Sequence, residues 1–241
     1  MFLASIFLTC ALLGVSQAQT PEGFTPSVNT KFDVLFNSTA VAIPGQQLKK
    51  STTSSQPQLA LNNVQSNSTF LFIMVDLDVP PSQGSTARRT LLHAMQTGFR
   101  PTAQQTSTSS SLLASTDVGP ATYIGPSPPA TDTIPHRYVQ LLFEQPEDLL
   151  VEASQFANTG ARIGFDVNAF MQSNGLAEPV AGNFFTVDGK ATDVAAGASG
   201  TTTASGGIVK NTLVPFEGVS VKNGASLGLL GLAGAVMYAV V

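Results

Sequence analysis

The stretch Y-I-G-P-S-P-P-A-T-D-T-I-P-H-R-Y-V-Q, residues 123 to 140, is the most informative part of this chain. Its glycine and prolines predict a rigid turn that exposes backbone polar groups, and His136 and Tyr138 share one face of the strand that follows. The chain has two histidines, and the other, His93, follows the polar run D-L-D-V-P-P-S at 76 to 82. Since histidine near neutral pH serves proton transfer, anion pairing or metal ligation, both segments are expected to wall one pocket.

The surrounding residues predict a mostly β domain. Apolar residues alternate over 32 to 36, and the continuous apolar run F-L-F-I-M-V at 70 to 75 is typical of a strand covered on both faces. Residues 90 to 99 and 138 to 143 are also rich in strand-forming types.

Helices and loops have weaker signals. We predict one helix over 167 to 174, with Asp166 as its N-cap and Gly175 just past its end. A second helix is predicted after Pro146, whose acidic neighbours suit a first turn. The Ser/Thr/Gln-rich stretch 101 to 111 is interpreted as a solvated loop.

Strand periodicity places the polar residues. Side chains two apart share a face, which gives two further sets, Asp76 with Asp78, and Leu91 with His93 and Met95. If these strand ends meet, two carboxylates, two imidazoles and a phenol converge on one site.

These segments resemble the two signature regions of the phosphatidylethanolamine-binding protein family. The first region of that family reads D-P-D-x-P, then a basic loop and a histidine in the next strand. Here it stands as D-L-D-V-P, with Leu77 in place of the family proline, then Arg88, Arg89 and His93. The second reads Y-x-G-P-x-P-P, a loop, then H-R-Y-V, and residues 123 to 139 match it essentially throughout. The similarity spans about residues 22 to 187, including G-L-A-E-P-V-A-G-N-F-F at 175 to 185.

The resemblance implies a large antiparallel sheet packed on a smaller sheet, a few peripheral helices and a small anion pocket. The residues implied to line the pocket are Asp76, His93, His136 and Tyr138, and those implied to shape its rim are Asp78, Pro80, Gly125 and Pro126. Imidazoles and backbone amides can hold phosphate or carboxylate oxygens, and Asp76 can orient an imidazole or accept from an ammonium group. Arg137 is interpreted as a structural ion-pair partner, and Arg88 and Arg89 as solvated loop charges.

The function this implies is non-catalytic binding of phosphorylated headgroups or small anions, without a cofactor. The resemblance also implies an alternative, inhibition of a secreted serine carboxypeptidase through protein contacts, for which the polar segment 19 to 30 would be extended. A second alternative is a hydrolase that uses the Asp/His cluster, although the one G-x-S-x-G match, Gly224 to Gly228, lies in the C-terminal tail. A metal site is not predicted because no short-spaced histidine pair is present.

The two ends of the chain predict its location. Residues 1 to 18 read as a secretory signal peptide cleaved after Ala18, with a buried N-terminal helix as the alternative. Residues 19 to 189 form the domain, and the Ala/Gly/Ser/Thr-rich residues 190 to 222 a stalk. Residues 223 to 241 end in sixteen apolar residues, which span roughly 24 Å against a hydrocarbon core of about 30 Å.

This tail resembles a glycosylphosphatidylinositol (GPI) attachment signal, with Asn223 as the attachment residue and Gly218 or Ser220 as alternatives. A single-span tail anchor is the competing interpretation. The protein is therefore expected on the outer face of the plasma membrane, held by a lipid anchor.

Composition agrees with a secreted protein. Asn37 and Asn67 begin N-x-S/T sequons and are predicted glycosylation sites. Cys10, the only cysteine, lies in the predicted signal peptide, so the mature chain has neither disulfides nor thiol chemistry. With 11% charged residues and a net charge of −4, the chain has no basic stripe for nucleic acid.

Overall fold

The computed structural model describes residues 17–191, in which ten strands form one continuous sheet. The strands are β1 (Asp33–Phe36), β2 (Thr39–Ala40), β3 (Gln46–Leu48), β4 (Gln58–Leu61), β5 (Phe70–Val79), β6 (Arg89–Gln105), β7 (Ser111–Ala114), β8 (Pro120–Ala121), β9 (His136–Glu144) and β10 (Ala181–Val187). Their order is β2-β1-β4-β7-β6-β5-β9-β10-β3, with β8 beside β6. All pairs are antiparallel except β10 with β3.

The mostly β class expected from the sequence is confirmed, and the long strand β6 joins the larger and smaller portions of the sheet. Residues 89–99 of β6 pair with β5 and β8, and residues 100–105 pair with β7, so the sheet curls over an apolar core. Aromatic rings fill this core edge to face, with ring centroids 6.4 Å apart for Phe32 and Phe72 and 5.2 Å apart for Phe36 and Phe185.

Strand β5 is covered on both faces, as its continuous apolar run predicts. Phe72 and Met74 lie in the first core, whereas Leu71, Ile73 and Val75 lie in a second core with residues of the helical segment. The strand is therefore fixed in register, because a slip of one residue would exchange the two sets of side chains.

A β-bulge in β6 breaks the predicted alternation at His93. Met74 faces Ala94 and Val75 faces Leu92, so His93 is the extra residue. The prediction that His93 and Met95 share a face is therefore wrong, since Met95 packs in the second core.

The helices follow β9. They are a 3-10 helix, Ala153–Phe156, and helices α1 (Thr159–Arg162) and α2 (Val167–Ser173). Helix α2 is confirmed: the Asp166 side chain accepts from the amide of Ala169, and Gly175 follows in the left-handed conformation at φ 62°. None of the helices within residues 17–191 is long and apolar enough to cross a membrane.

Two local predictions are wrong. Pro146 begins only a turn, in which the Leu149 amide donates to the Pro146 carbonyl, because residues 146–152 contribute only the partly buried Leu149 and Val151 to the core, too little to hold a helix. Residues 101–105 extend β6, and Pro101 pairs with Leu113 of β7, so only 106–110 form a turn. The polar residues at 101–105 suggested a loop, but they form the partly exposed end of strand β6.

The N-terminal segment is folded onto the domain, and its predicted extended conformation is wrong. The Gln19 amide donates to the Val28 carbonyl at 2.7 Å, and the Val28 amide donates to the Thr20 hydroxyl at 3.1 Å. Gln19, Thr20 and Val28 are all buried, since Val28 joins the second core. These hydrogen bonds pair polar groups within residues 19–28, so the segment folds back instead of extending into solvent.

Several predictions concern residues at or beyond the edges of this region. The signal peptide lies outside the described residues except for 17–18, the stalk except for 190–191, and the GPI signal entirely. Asn37 and Asn67 are exposed in turns, where their glycosylation stays a prediction.

Removal of one aromatic ring tests the first core. We expect Phe72→Ala to lower the free energy of unfolding by about 3–5 kcal/mol, because Phe72 is fully buried and its ring contacts those of Phe32 and Phe99. Urea unfolding measures the change. Val118→Ala is the control, because Val118 is 81% exposed and should change stability by less than about 0.5 kcal/mol. A loss for Phe72→Ala no larger than that of the control would contradict the packing.

Candidate functional site

A cavity of about 200 Å³ lies where β5, β6, β9 and the 123–135 loop meet. Its lining residues are Asp76, Val79, Pro80, Leu91, His93, Ile124, Gly125, Ser127, Pro128, Pro129, His136 and Tyr138. The sheet brings the polar members together, because Asp76 lies opposite Tyr138 on β9 and opposite Leu91 on β6. Six of the eight residues predicted for the pocket therefore line this cavity.

The buried carboxylate of Asp76 is the centre of the site. Its Oδ2 atom accepts a hydrogen bond from Nδ1 of His136 at 2.8 Å, and its Oδ1 atom accepts from the amide of Asp78 at 2.7 Å. Both side chains are almost fully buried, with exposed fractions of 4% for Asp76 and 2% for His136. A buried carboxylate requires such partners, so Asp76 and His136 form one unit.

The second nitrogen of His136 reaches a residue that the sequence analysis missed. Nε2 donates to Oδ2 of Asp132 at 2.9 Å, and Asp132 also accepts both terminal nitrogens of Arg88, at 2.8 and 2.6 Å. Asp132 lies in the irregular loop before β9, where no strand or helix period relates it to the site. Its only sequence signal is its position four residues before His136 and within the second signature region.

The interpretation of Arg88 and Arg89 as solvated loop charges is wrong. Arg88 forms the bidentate pair with Asp132 and also donates to the backbone oxygen of Asp78. Arg89 donates through Nε to the Pro80 carbonyl at 3.0 Å. Both guanidinium groups therefore hold the loop that follows β5.

The charges around His136 favour its protonated form. Burial alone would lower the pKa of His136, but the hydrogen bonds and charges of Asp76 and Asp132 outweigh burial and raise it. Hydrogen bonds from Arg88 and His136 in turn hold the pKa of Asp132 far below its usual range. Arg88, Asp132, His136 and Asp76 thus alternate in charge from the surface to the interior.

The ring of His93 is held in one tautomer. Its Nδ1 atom lies 2.6 Å from the carbonyl oxygen of Ile124, which can only accept, so Nδ1 carries the hydrogen. Burial lowers the pKa of His93, so the neutral ring presents the lone pair of Nε2. This buried Nε2 atom has no hydrogen-bond partner among the described residues and lies 3.9 Å from Oδ2 of Asp76.

Tyr138 supplies a second buried polar atom without a partner. Its ring is stacked between those of His136 and Phe185, with centroids 6.5 and 5.3 Å away, and His93 meets it edge-on at 5.1 Å. The hydroxyl makes no hydrogen bond to any part of the chain that the structure describes. Burial and the nearby carboxylates raise the pKa of Tyr138, so it stays a neutral phenol.

Two residues predicted for the site, Asp78 and Pro126, do not line the cavity. Both oxygens of Asp78 accept from Arg137, at 2.8 Å from Nε and from a terminal nitrogen, and the Arg137 amide adds a third bond. These bonds outweigh the effect of burial and lower the pKa of Asp78. Asp78 does not line the cavity because an irregularity between Asp76 and Val79 breaks the alternation that would place Asp78 beside Asp76.

Gly125 contributes close packing. A Cβ atom there would lie 3.2–3.3 Å from backbone atoms of Thr53 and Ser54, so glycine lets the cavity wall approach the 53–54 turn. The neighbouring Tyr123 hydroxyl donates to the Thr53 carbonyl at 2.7 Å and fixes the same contact.

A larger groove of about 440 Å³ lies across β5, where Val75 and Leu77 alternate with the cavity residue Asp76. Its floor is apolar and includes Phe165 and Val167. In residues 17–191 none of the buried polar atoms without a partner belongs to this groove, so the smaller cavity is the better candidate for a specific ligand.

Comparison with known sequences identifies the family to which this fold and this cavity belong. A sequence model of phosphatidylethanolamine-binding proteins matches residues 38–185. The chain is 33% identical over 200 residues to the phomoidride biosynthesis cluster protein N of Talaromyces stipitatus, covering 77% of this chain and 98% of that protein. It is also 33% identical to the protein BROTHER of FT and TFL 1 of Arabidopsis thaliana, covering 68% of this chain and 82% of the relative. The chain belongs to the phosphatidylethanolamine-binding protein family.

The chain is also similar, at lower identity, to solved structures. A carboxypeptidase Y inhibitor complexed with its cognate proteinase is 24% identical, with a TM-score of 0.49, and covers 67% of this chain and 84% of its own. A phosphatidylethanolamine-binding protein from Plasmodium vivax is 17% identical, with a TM-score of 0.41 and coverages of 66% and 87%.

The pKa values of the two imidazoles should be shifted in opposite directions from the ordinary value of 6.5. We expect NMR to show His136 with a pKa above this value and His93 with a pKa below it. Stability from His136 is then present below pH 6.5 and lost as pH rises through its folded pKa. Stability associated with neutral His93 is lost as pH falls from 6.5 through its lower folded pKa. In protein unfolded by urea, both rings should have pKa values near 6.5. The same two values in the folded protein would contradict the contacts of His93 and His136.

Proposed function

We propose that this chain is a non-enzymatic binding protein of the cell surface, and that its cavity holds a headgroup with both an ammonium and a phosphate group. One observation supports the proposal: two buried polar atoms without partners among residues 17–191, Nε2 of His93 and the hydroxyl of Tyr138, belong to residues that line one cavity together with Asp76. Buried polar atoms normally have partners, and a ligand is the partner that a cavity admits.

The cavity offers complementary chemistry to a zwitterion. Asp76 and the lone pair of His93 can accept hydrogen bonds from an ammonium group, and the Tyr138 hydroxyl can donate to a phosphate oxygen. At about 200 Å³ the cavity is smaller than the roughly 300–1,000 Å³ typical of drug-sized ligand sites. This size favours a headgroup whose acyl chains, if any, remain outside.

Binding has more support than hydrolysis. In residues 17–191 no serine or threonine hydroxyl forms a hydrogen bond with His93 or His136, which a hydroxyl nucleophile would need. His136 is also committed on both nitrogens, which leaves it unsuited to take up a proton. Nor does this region contain a cluster of three metal-ligating residues.

The carboxypeptidase-inhibitor alternative has less support from the geometry. It depends on an extended N-terminal segment, whereas Gln19 and Thr20 are buried against Val28. An inhibitory role would therefore have to use another surface of the domain.

A pair of tyrosine substitutions tests the cavity. We expect phosphoethanolamine to bind the purified protein saturably in calorimetric titration and Tyr138→Phe to weaken binding about tenfold or more, because a hydrogen bond to a charged group is lost. The same substitution should raise the free energy of unfolding by about 1 kcal/mol, since a buried hydroxyl without a partner is removed.

The matched control is Tyr123→Phe. Its hydroxyl donates to the Thr53 carbonyl outside the cavity, so this variant should lose about 1 kcal/mol of stability and keep its affinity. Absence of phosphoethanolamine binding to well-folded wild-type protein would refute the proposed ligand. Equal losses of affinity in both variants would refute the role of Tyr138.

The location at the cell surface rests on the two ends of the chain, outside the described residues. The predicted signal peptide and the GPI signal after Asn223, with Gly218 or Ser220 as alternatives, support export and lipid attachment.

An enzymatic release assay tests the anchor. We expect phosphatidylinositol-specific phospholipase C to release the protein from intact cells into the medium, because a removed tail leaves only the lipid as anchor. A chain ending at Lys222 is the control and should be secreted without the enzyme. Full-length protein that resists the phospholipase and dissolves only in detergent would instead indicate a single-span tail anchor.

A further inference from the structure

The hydrogen-bonding capacity of Asp132 is filled from within the protein. Oδ2 accepts from Arg88 at 2.8 Å and from His136 at 2.9 Å, and Oδ1 accepts from Arg88 at 2.6 Å and from the Thr133 amide at 2.7 Å. Its side chain is only 5% exposed although the surrounding loop is exposed. With these four bonds the Asp132 carboxylate occupies the donors of Arg88, His136 and Thr133 as a bound anion would.

These contacts leave the cavity without a free cationic donor among its described lining residues. His136 is the one imidazole that favours the charged form, yet its Nδ1 and Nε2 atoms are bonded to Asp76 and Asp132. Neutral His93 presents a lone pair, and Tyr138 offers a single hydroxyl. A phosphate entering this state would face the Asp76 carboxylate with one neutral donor, which is unfavourable for an anion.

We propose that Asp132 determines which ligands the cavity accepts, because its carboxylate occupies the Nε2 donor of the lining residue His136 and pairs with Arg88 beside it. The resting cavity then favours an ammonium or other donor group, and phosphate binds tightly only when Asp132 leaves these donors. This inference rests on the proposed headgroup-binding function and adds the residue that sets its charge preference.

The surrounding loop is suited to such an exchange. Residues 130, 131 and 133–135 are exposed, and Asp132 is attached to the turn by its own amide, which donates to the Pro129 carbonyl at 3.1 Å. Lys50 holds the base of the loop through the Pro128 carbonyl at 2.7 Å. The carboxylate can therefore move without displacing a buried apolar side chain.

Phosphate titration of Asp132 variants tests the proposal. Inorganic phosphate should bind Asp132→Ala about tenfold to a hundredfold more tightly than wild type, as expected when charge-assisted hydrogen bonds become available. Asp132→Asn, which removes the charge but keeps an acceptor, should lie between them. Asp117→Asn is the matched control because Asp117 is an exposed carboxylate bonded to Thr97, away from the cavity, and it should bind as wild type does.

A second readout follows the imidazole directly. NMR titration should show a lower pKa for His136 in Asp132→Ala than in wild type, because one of its two carboxylate partners is gone. An unchanged value would show that Asp132 does not hold His136 in solution and would overturn the inference.

The outcomes separate this inference from the proposed function. Wild-type binding of phosphoethanolamine together with equal phosphate affinity in wild type and Asp132→Ala would overturn the role of Asp132 and leave the function intact. Phosphate binding to Asp132→Ala alone, with no phosphoethanolamine binding to wild type, would support the role of Asp132 and refute the proposed ligand. Binding of neither ligand to any variant would overturn both.

Discussion

The arrangement of the site depends on one buried carboxylate, Asp76, whose charge must be compensated in place. An uncompensated charge at that depth would cost several kcal/mol, so the His136 imidazolium that binds it is required. His136 is itself stabilised by Asp132, and Asp132 by Arg88 near the surface. The loop before β9, the loop after β5 and the ends of both strands are thereby joined into one electrostatic unit.

This unit explains why the cavity combines a fully hydrogen-bonded imidazole with buried polar atoms that lack partners. Every nitrogen of His136 has a partner, whereas Nε2 of His93 and the hydroxyl of Tyr138 have none within residues 17–191. Unpaired buried polar atoms reduce stability, and natural proteins tolerate that cost most readily at functional sites. The unpaired atoms belong to residues that line the cavity, whereas Arg88 and Asp132, which form the ion pair, are not among its lining residues.

The sequence predicted strands β1, β5, β6 and β9 and helix α2 because these follow simple periods and capping rules, and the family resemblance implied most of the cavity residues. Its errors at Asp78 and Met95 have one cause, since irregularities in the pairing of β5 and β6 interrupt the two-residue period. Asp132 was missed for a different reason, because a loop has no period and a tertiary contact alone gives the residue its role. The extended N-terminal segment failed similarly, since only the folded domain supplies the core that buries Val28.

The bulge at His93 also limits how this protein can vary. Deletion of Leu92 alone would restore regular pairing and place His93 opposite Val75, on the face of the second core and away from the cavity, even though the amino-acid composition would hardly change. The exposed 81–87 loop, which lies outside any strand, carries no such constraint. Among relatives, insertions and deletions should therefore accumulate in that loop and spare the stretch around His93 in β6, although fewer than ten residues separate the two.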